Sequence, residues 1–168
     1  NSRGVTALML AAYEGHGEVA NMMLEAPGTD VAAKNKNDRT ALMAAAGGGH
    51  GEVVQMLLEA PGIDVAATDE NDRMALIGAA QEGHADVVQM LLEAPGIDVA
   101  AKDKNGFTAL MRAAYGGHGE VVKMLLEAPG IDVAATDENG LTALMLAAMG
   151  GHGEVVKMLL EAPGIDVA

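Results

Sequence analysis

Two kinds of apolar segment alternate along the chain. The first kind, TALMAAA or TALMRAAY, places Leu42, Ala45 and Ala46 at i, i+3 and i+4, which is one face of a helix. The second, EVVKMLLEA, carries a wide apolar stripe (Val53, Val54, Met56, Leu57 and Leu58 in EVVQMLLEA), so it too predicts a helix. Thr40 stands at the N-cap position of the first segment, and Glu52 lies in the first turn of the second, where it favours the positive helix end. Pro61 and Gly62 stop the second helix. A Gly-His break separates the two segments, and a polar tip such as DKNG precedes the first.

This succession recurs every 34 residues: His16, His50, His84, His118 and His152 are in step, as are Pro27, Pro61, Pro95, Pro129 and Pro163. A fixed period of this size means one supersecondary unit copied along an axis, each copy burying its apolar face against its neighbours. The expected architecture is all-α: a single solenoid over 1–168, built of five hairpin-helix-turn-helix units at 1–34, 35–68, 69–102, 103–136 and 137–168. The stretch ALMLAAY near the start could pass for part of a signal sequence, but its relatives recur in later units, so it belongs to the repeat.

These residues resemble the ankyrin repeat, a turn plus two helices with a T-P-L-H-x-A signature, and the resemblance covers all 168 residues. The hairpin-to-helix threonine is Thr6, Thr40, Thr108 and Thr142, with Met74 departing. The Gly-His turn runs from Gly15-His16 to Gly151-His152. Proline and histidine of the signature are replaced by alanine and mostly methionine, as in Ala41 and Met43, with Ile77 once, so the threonine-to-histidine hydrogen bond cannot form. The asparagine that usually follows D-V is Ala32, Ala66, Ala100, Ala134 and Ala168, which removes a polar link between adjacent loops. Copies this similar look like an engineered or consensus-derived array, although recent natural duplication would also produce them.

Composition narrows the partners. Ten Lys plus Arg against 24 Asp plus Glu give a formal charge of −14, which repels phosphate backbones and anionic lipid headgroups. Nucleic acid and membrane surfaces are therefore disfavoured, and no apolar run reaches the roughly 18 to 20 residues of a membrane helix. Cysteine is absent, which excludes disulfides and thiolate metal sites. The expected location is the cytoplasm for a natural chain, and no native compartment for a synthetic one. One histidine per unit spreads the imidazoles along the stack at about the 8–10 Å between packed helices, too far for one ion to bridge. Each histidine is expected to stabilise its own turn instead. No nucleophile recurs beside a base, and GGHGE lacks the Lys and Ser/Thr of a phosphate loop. No enzyme activity, cofactor or metal is expected.

Among the methionines, Met22, Met56, Met90, Met124 and Met158 are expected in the core, while Met9, Met43, Met111 and Met145 are expected nearer the first-helix surface. The columns that vary between copies carry the functional reading. After the tip stand Val5, Arg39, Arg73, Phe107 and Leu141; in the first helix Leu10, Ala44, Gly78, Arg112 and Leu146; then Tyr13, Gly47, Gln81, Tyr115 and Met149; and Glu14, Gly48, Glu82, Gly116 and Gly150. The resemblance implies that these columns line a concave groove where the family binds partner proteins. All the aromatics of the chain fall in them, and aromatics with arginine are what binding hot spots favour.

A sharper expectation is that Ala44 and Gly78 floor a pocket flanked by Arg39, Arg73 and Arg112, suited to an acidic side chain or a peptide carboxylate. The alternative is that Arg39 and Arg73 merely offset Asp38 and Asp72 on solvated tips. Two further expectations concern assembly. The last unit keeps the apolar EVVKMLLEA of interior copies, which favours weak end-to-end self-association through the C-terminal repeat. The alternation Lys36, Glu70, Lys104, Glu138 suggests weak attraction between neighbouring tips. A purely structural array with no selected partner remains the competing reading.

Overall fold

The computed structural model describes residues 3–165, so Ala168 lies outside the described residues. Within them the chain forms helix pairs: α1 (Ala7–Glu14) with α2 (Gly17–Glu25), α3 (Ala41–Gly48) with α4 (Gly51–Glu59), α5 (Ala75–Glu82) with α6 (Ala85–Glu93), α7 (Ala109–Gly116) with α8 (Gly119–Glu127), and α9 (Ala143–Met149) with α10 (Gly153–Leu160). No strand is present among the described residues, and no helix there is long and apolar enough to cross a membrane.

Local chemistry starts and stops each first helix. The hydroxyls of Thr6, Thr40, Thr108 and Thr142 accept the amide N–H of the methionine three residues on, at 3.1 to 3.4 Å. Met74 offers no side-chain cap to α5. Helix α7 ends at Gly117 in the left-handed region (φ 75°), where a Cβ would also come within 2.5 Å of the His152 ring. Glycine is required there twice over, by backbone and by space.

The histidines work across the repeat boundary. Nε2–H of His50, His84, His118 and His152 donates to the main-chain carbonyls of Tyr13, Gly47, Gln81 and Tyr115, at 2.9 to 3.2 Å. Each ring thus satisfies a carbonyl at the end of the preceding repeat's first helix. The expectation that each histidine serves its own turn is corrected: it is a strut between neighbours.

Alanines at 41, 45 and 46, and their equivalents, let the first helices approach closely along the row α1, α3, α5, α7, α9, whereas the second helices of adjacent repeats touch at few points. The first helices and the tips therefore form one flank of the stack and the second helices the other. Leu57, Leu76, Leu91, Leu110 and Leu125 are fully buried between the two layers. Each such side chain contributes about 1.5–3 kcal/mol.

The methionine expectations are overturned in part: Met145 is 36% exposed as expected, and Met90, Met124 and Met158 pack against the core without being enclosed in it. Met9, Met43 and Met111 are buried beneath the first helices, whereas Met22 is 64% exposed and Met56, Met90, Met124 and Met158 are half-buried. The second helix turns Val54, Leu57 and their equivalents inward and leaves its methionine at the edge.

Candidate partner-binding face

The tips set the geometry of the first-helix face. In repeat 4, Asp103 closes the turn: its amide donates to the Phe107 carbonyl (2.9 Å), and its Oδ1 accepts from the amides of Asn105 (2.9 Å) and Phe107 (3.0 Å). Asp69 and Asp137 do the same in repeats 3 and 5, and the Asn35 amide oxygen does so in repeat 2. The hydrogen bond from the Leu141 N–H, helped by that of Asn139, holds the Asp137 carboxyl below the usual aspartate range. Successive tips are tied by main-chain bonds, Glu70 N–H to Asn37 carbonyl (3.0 Å) and Lys104 N–H to Asn71 carbonyl (2.9 Å).

The charged side chains at neighbouring tips form no Lys–Glu ion pair among the described residues. Lys34 and Lys102 donate to the carbonyls of Thr68 and Thr136, at 3.1 and 2.8 Å, and Asn37 donates to Glu70 (2.8 Å). These bonds supply the inter-loop link that the missing asparagines would otherwise give.

The second carboxylate oxygen of each tip aspartate decides what its arginine can do. Asp69 Oδ2 accepts from Arg73 Nε (3.3 Å) and a terminal nitrogen (3.1 Å). Asp103 Oδ2 accepts from Arg112, whose guanidinium lies 4.1 Å from the centre of the Phe107 ring. Arg112 Nε is buried without a hydrogen-bond partner. Arg73 is therefore bound by Asp69 of its own tip, not offset by Asp72, which sits with Asp38 at a positive φ of 57° where repeats 4 and 5 have glycine.

The pocket expected from the sequence does not exist as one space. Ala44 lines a cleft of about 110 Å³ between repeats 1 and 2, with Val5, Leu10, Tyr13, Asn35 and Arg39. Gly78 lines another, of about 200 Å³, between repeats 2 and 3, with Arg39, Gly47, Asp69, Arg73 and Gln81. Arg112 borders neither, because Asp103 and Phe107 hold it in repeat 4. Arg39 borders both.

Of the remaining candidate residues, Tyr13, Tyr115 and Met149 are 59%, 55% and 66% exposed at the ends of first helices. Phe107, Leu141 and Gln81 are half-buried on the same flank. Leu146 is withdrawn from the surface: it is buried with the core while Leu10, in the same column, is exposed. Sequence reading missed the tip residues Asn35, Asp69 and Asp103, although an acid or amide two and four residues ahead of the amides it caps is a readable turn signal.

A groove larger than either cleft, about 500 Å³, lies on the opposite flank, between Gln55, Leu58, Met90 and Glu93 of the second-helix layer.

Stacked helix pairs joined by hydrogen-bonded tips define a repeat solenoid that presents a lined first-helix face. A family model described as ankyrin repeats (3 copies) matches residues 8–103 and again 76–168. The chain belongs to the ankyrin repeat family, whose members generally serve as protein-interaction modules. No curated protein matches the chain.

Proposed function

We propose that the chain is a non-enzymatic, engineered or consensus-type ankyrin-repeat scaffold that binds a protein or peptide through its concave first-helix face, as one solenoid of five repeats. One observation carries this reading: the positions that differ between copies converge on that flank. Leu10, Tyr13, Tyr115 and Met149, four of the large exposed hydrophobics, all belong to the varied columns. A partner with an acidic group suits the arginines of the face.

Gly47 and Gly78 support selection for space. A Cβ at Gly47 would meet nothing within 4 Å, and one at Gly78 only the Gly47 Cα at 4.0 Å, so packing does not demand glycine. Helix propensity argues against it by about 1 kcal/mol relative to alanine. Peptide selection against the immobilised protein, followed by cross-linking, tests the reading. Cross-links at Tyr13, Gln81 and Tyr115 are expected; binders confined to the second-helix flank would refute it.

End-to-end association of this 168-residue chain is a second reading. It is favoured by Leu160, 49% exposed, and Met145, 36% exposed, whose equivalents in interior repeats are covered by the following repeat. Light scattering at rising protein concentration should then show growing mass, and a strict monomer at millimolar protein excludes it.

A further inference from the structure

We infer that Arg39 alone selects the partner's charge: it reads one carboxylate side chain on an extended peptide laid across repeats 1 to 3, while Arg73 and Arg112 are internal struts. This deepens the concave-face reading and rests on it.

The inference begins with one atom. Where Asp69 and Asp103 turn Oδ2 toward an arginine, repeat 2 has Asn35. Its Oδ1 is engaged with the amides of Asn37 (2.9 Å) and Arg39 (3.0 Å), so the other arm of the amide is an –NH₂ group. That group donates and cannot accept from a guanidinium. Among the described residues Arg39 consequently has no carboxylate within ion-pair distance, although the chain has 24 acidic residues against ten basic. It is half-buried, borders both clefts of the face, and shares the second with the Asp69–Arg73 pair and with Glu82.

The surroundings describe the ligand. A guanidinium with free donors binds a carboxylate in a forked, charge-assisted pair. Beside it, Val5, Leu10 and Tyr13 form an apolar cleft of about 110 Å³, which takes a small aliphatic side chain. On the other side the bare backbone at Gly47 and Gly78 leaves room for a main chain to pass close to the helices. An acidic residue with an aliphatic neighbour, in an extended segment, fits this order. Repeats spaced about 8–10 Å apart, and a strand rise of about 3.3 Å per residue, put roughly three residues of peptide over each repeat.

The test uses the folded 168-residue chain and random linear peptides displayed on phage, selected on the protein and then measured by fluorescence anisotropy. Selected peptides should carry Asp or Glu, and replacing that residue by its amide should weaken binding about 10- to 100-fold. Arg39→Gln should produce the same loss. So should Asn35→Asp, which supplies the missing oxygen, engages Arg39 internally and leaves the tip's backbone bonds intact. Arg73→Gln should change affinity less than about threefold. Circular dichroism of each variant excludes unfolding as the cause. Groove binders without acid preference, or an acid preference that survives Arg39→Gln, overturn this inference and leave the concave-face reading standing. Failure to select any groove binder overturns both.

Discussion

Repeats 2 and 4 have almost the same backbone and opposite electrostatics. In repeat 4, Asp103 engages Arg112, the guanidinium lies over Phe107, and the ensemble is half-withdrawn from solvent. In repeat 2 an amide replaces the carboxylate, and Arg39 is left facing two clefts. The tip turn tolerates either residue, since both supply Oδ1 to the same two amides. The difference teaches that an arginine's role on this scaffold is set by one atom of a tip residue four to nine positions earlier.

The comparison breaks most visibly at Asp103. Asp103→Ala removes the turn-closing acceptor and also strands a mostly buried guanidinium, so it should cost about 2–4 kcal/mol in urea unfolding. Asn35→Ala removes the turn-closing acceptor alone and should cost about 1 kcal/mol. Equal losses would mean that the arginine pairing in repeat 4 carries no weight.

Asn35→Asp sharpens the contrast in the other direction. By converting repeat 2 to the arrangement of repeat 3, it should raise stability by about 0.5–1 kcal/mol, the range of a partly exposed ion pair. The gain should shrink in high salt.

A smaller effect separates the tips by backbone alone. Asp72 holds φ at 57°, against 79° for Gly106 at the equivalent place. Left-handed strain of about 1–2 kcal/mol is offset by the extra chain entropy glycine loses, about 0.5–1 kcal/mol, so Asp72→Gly should gain about 0.5 kcal/mol by chemical denaturation.

The smallest effect concerns pH. Asp137 is held below the ordinary aspartate range by the Leu141 N–H. A carboxyl depressed in the folded state contributes stability that is present above its unfolded pKa, about 3.9, and is lost as pH falls through the folded value. Thermal melts at pH 7 and pH 3 should therefore differ less for Asp137→Asn, which keeps Oδ1 as an acceptor, than for the parent chain.

The repeat, both helices, the threonine caps and the proline stops were legible in the sequence because period, propensity and capping are local. Three features were not, because each depends on a neighbour. The reach of His118 to the Gln81 carbonyl needs the preceding repeat in place. The burial of Met111 in place of Met124 depends on which helix layer packs more closely. Arg112 was grouped with Arg39 by column chemistry, but its partner is Asp103 in its own tip, and two clefts replaced the one imagined over Ala44 and Gly78.

Backbone amide shift mapping with a selected peptide tests the central claim most directly. If the first-helix face is the binding surface, perturbations will cluster at Tyr13, Arg39, Ala44, Gly47, Arg73 and Gly78. Perturbations centred on Gln55, Leu58, Met90 and Glu93, along the larger groove of the second-helix flank, would contradict it.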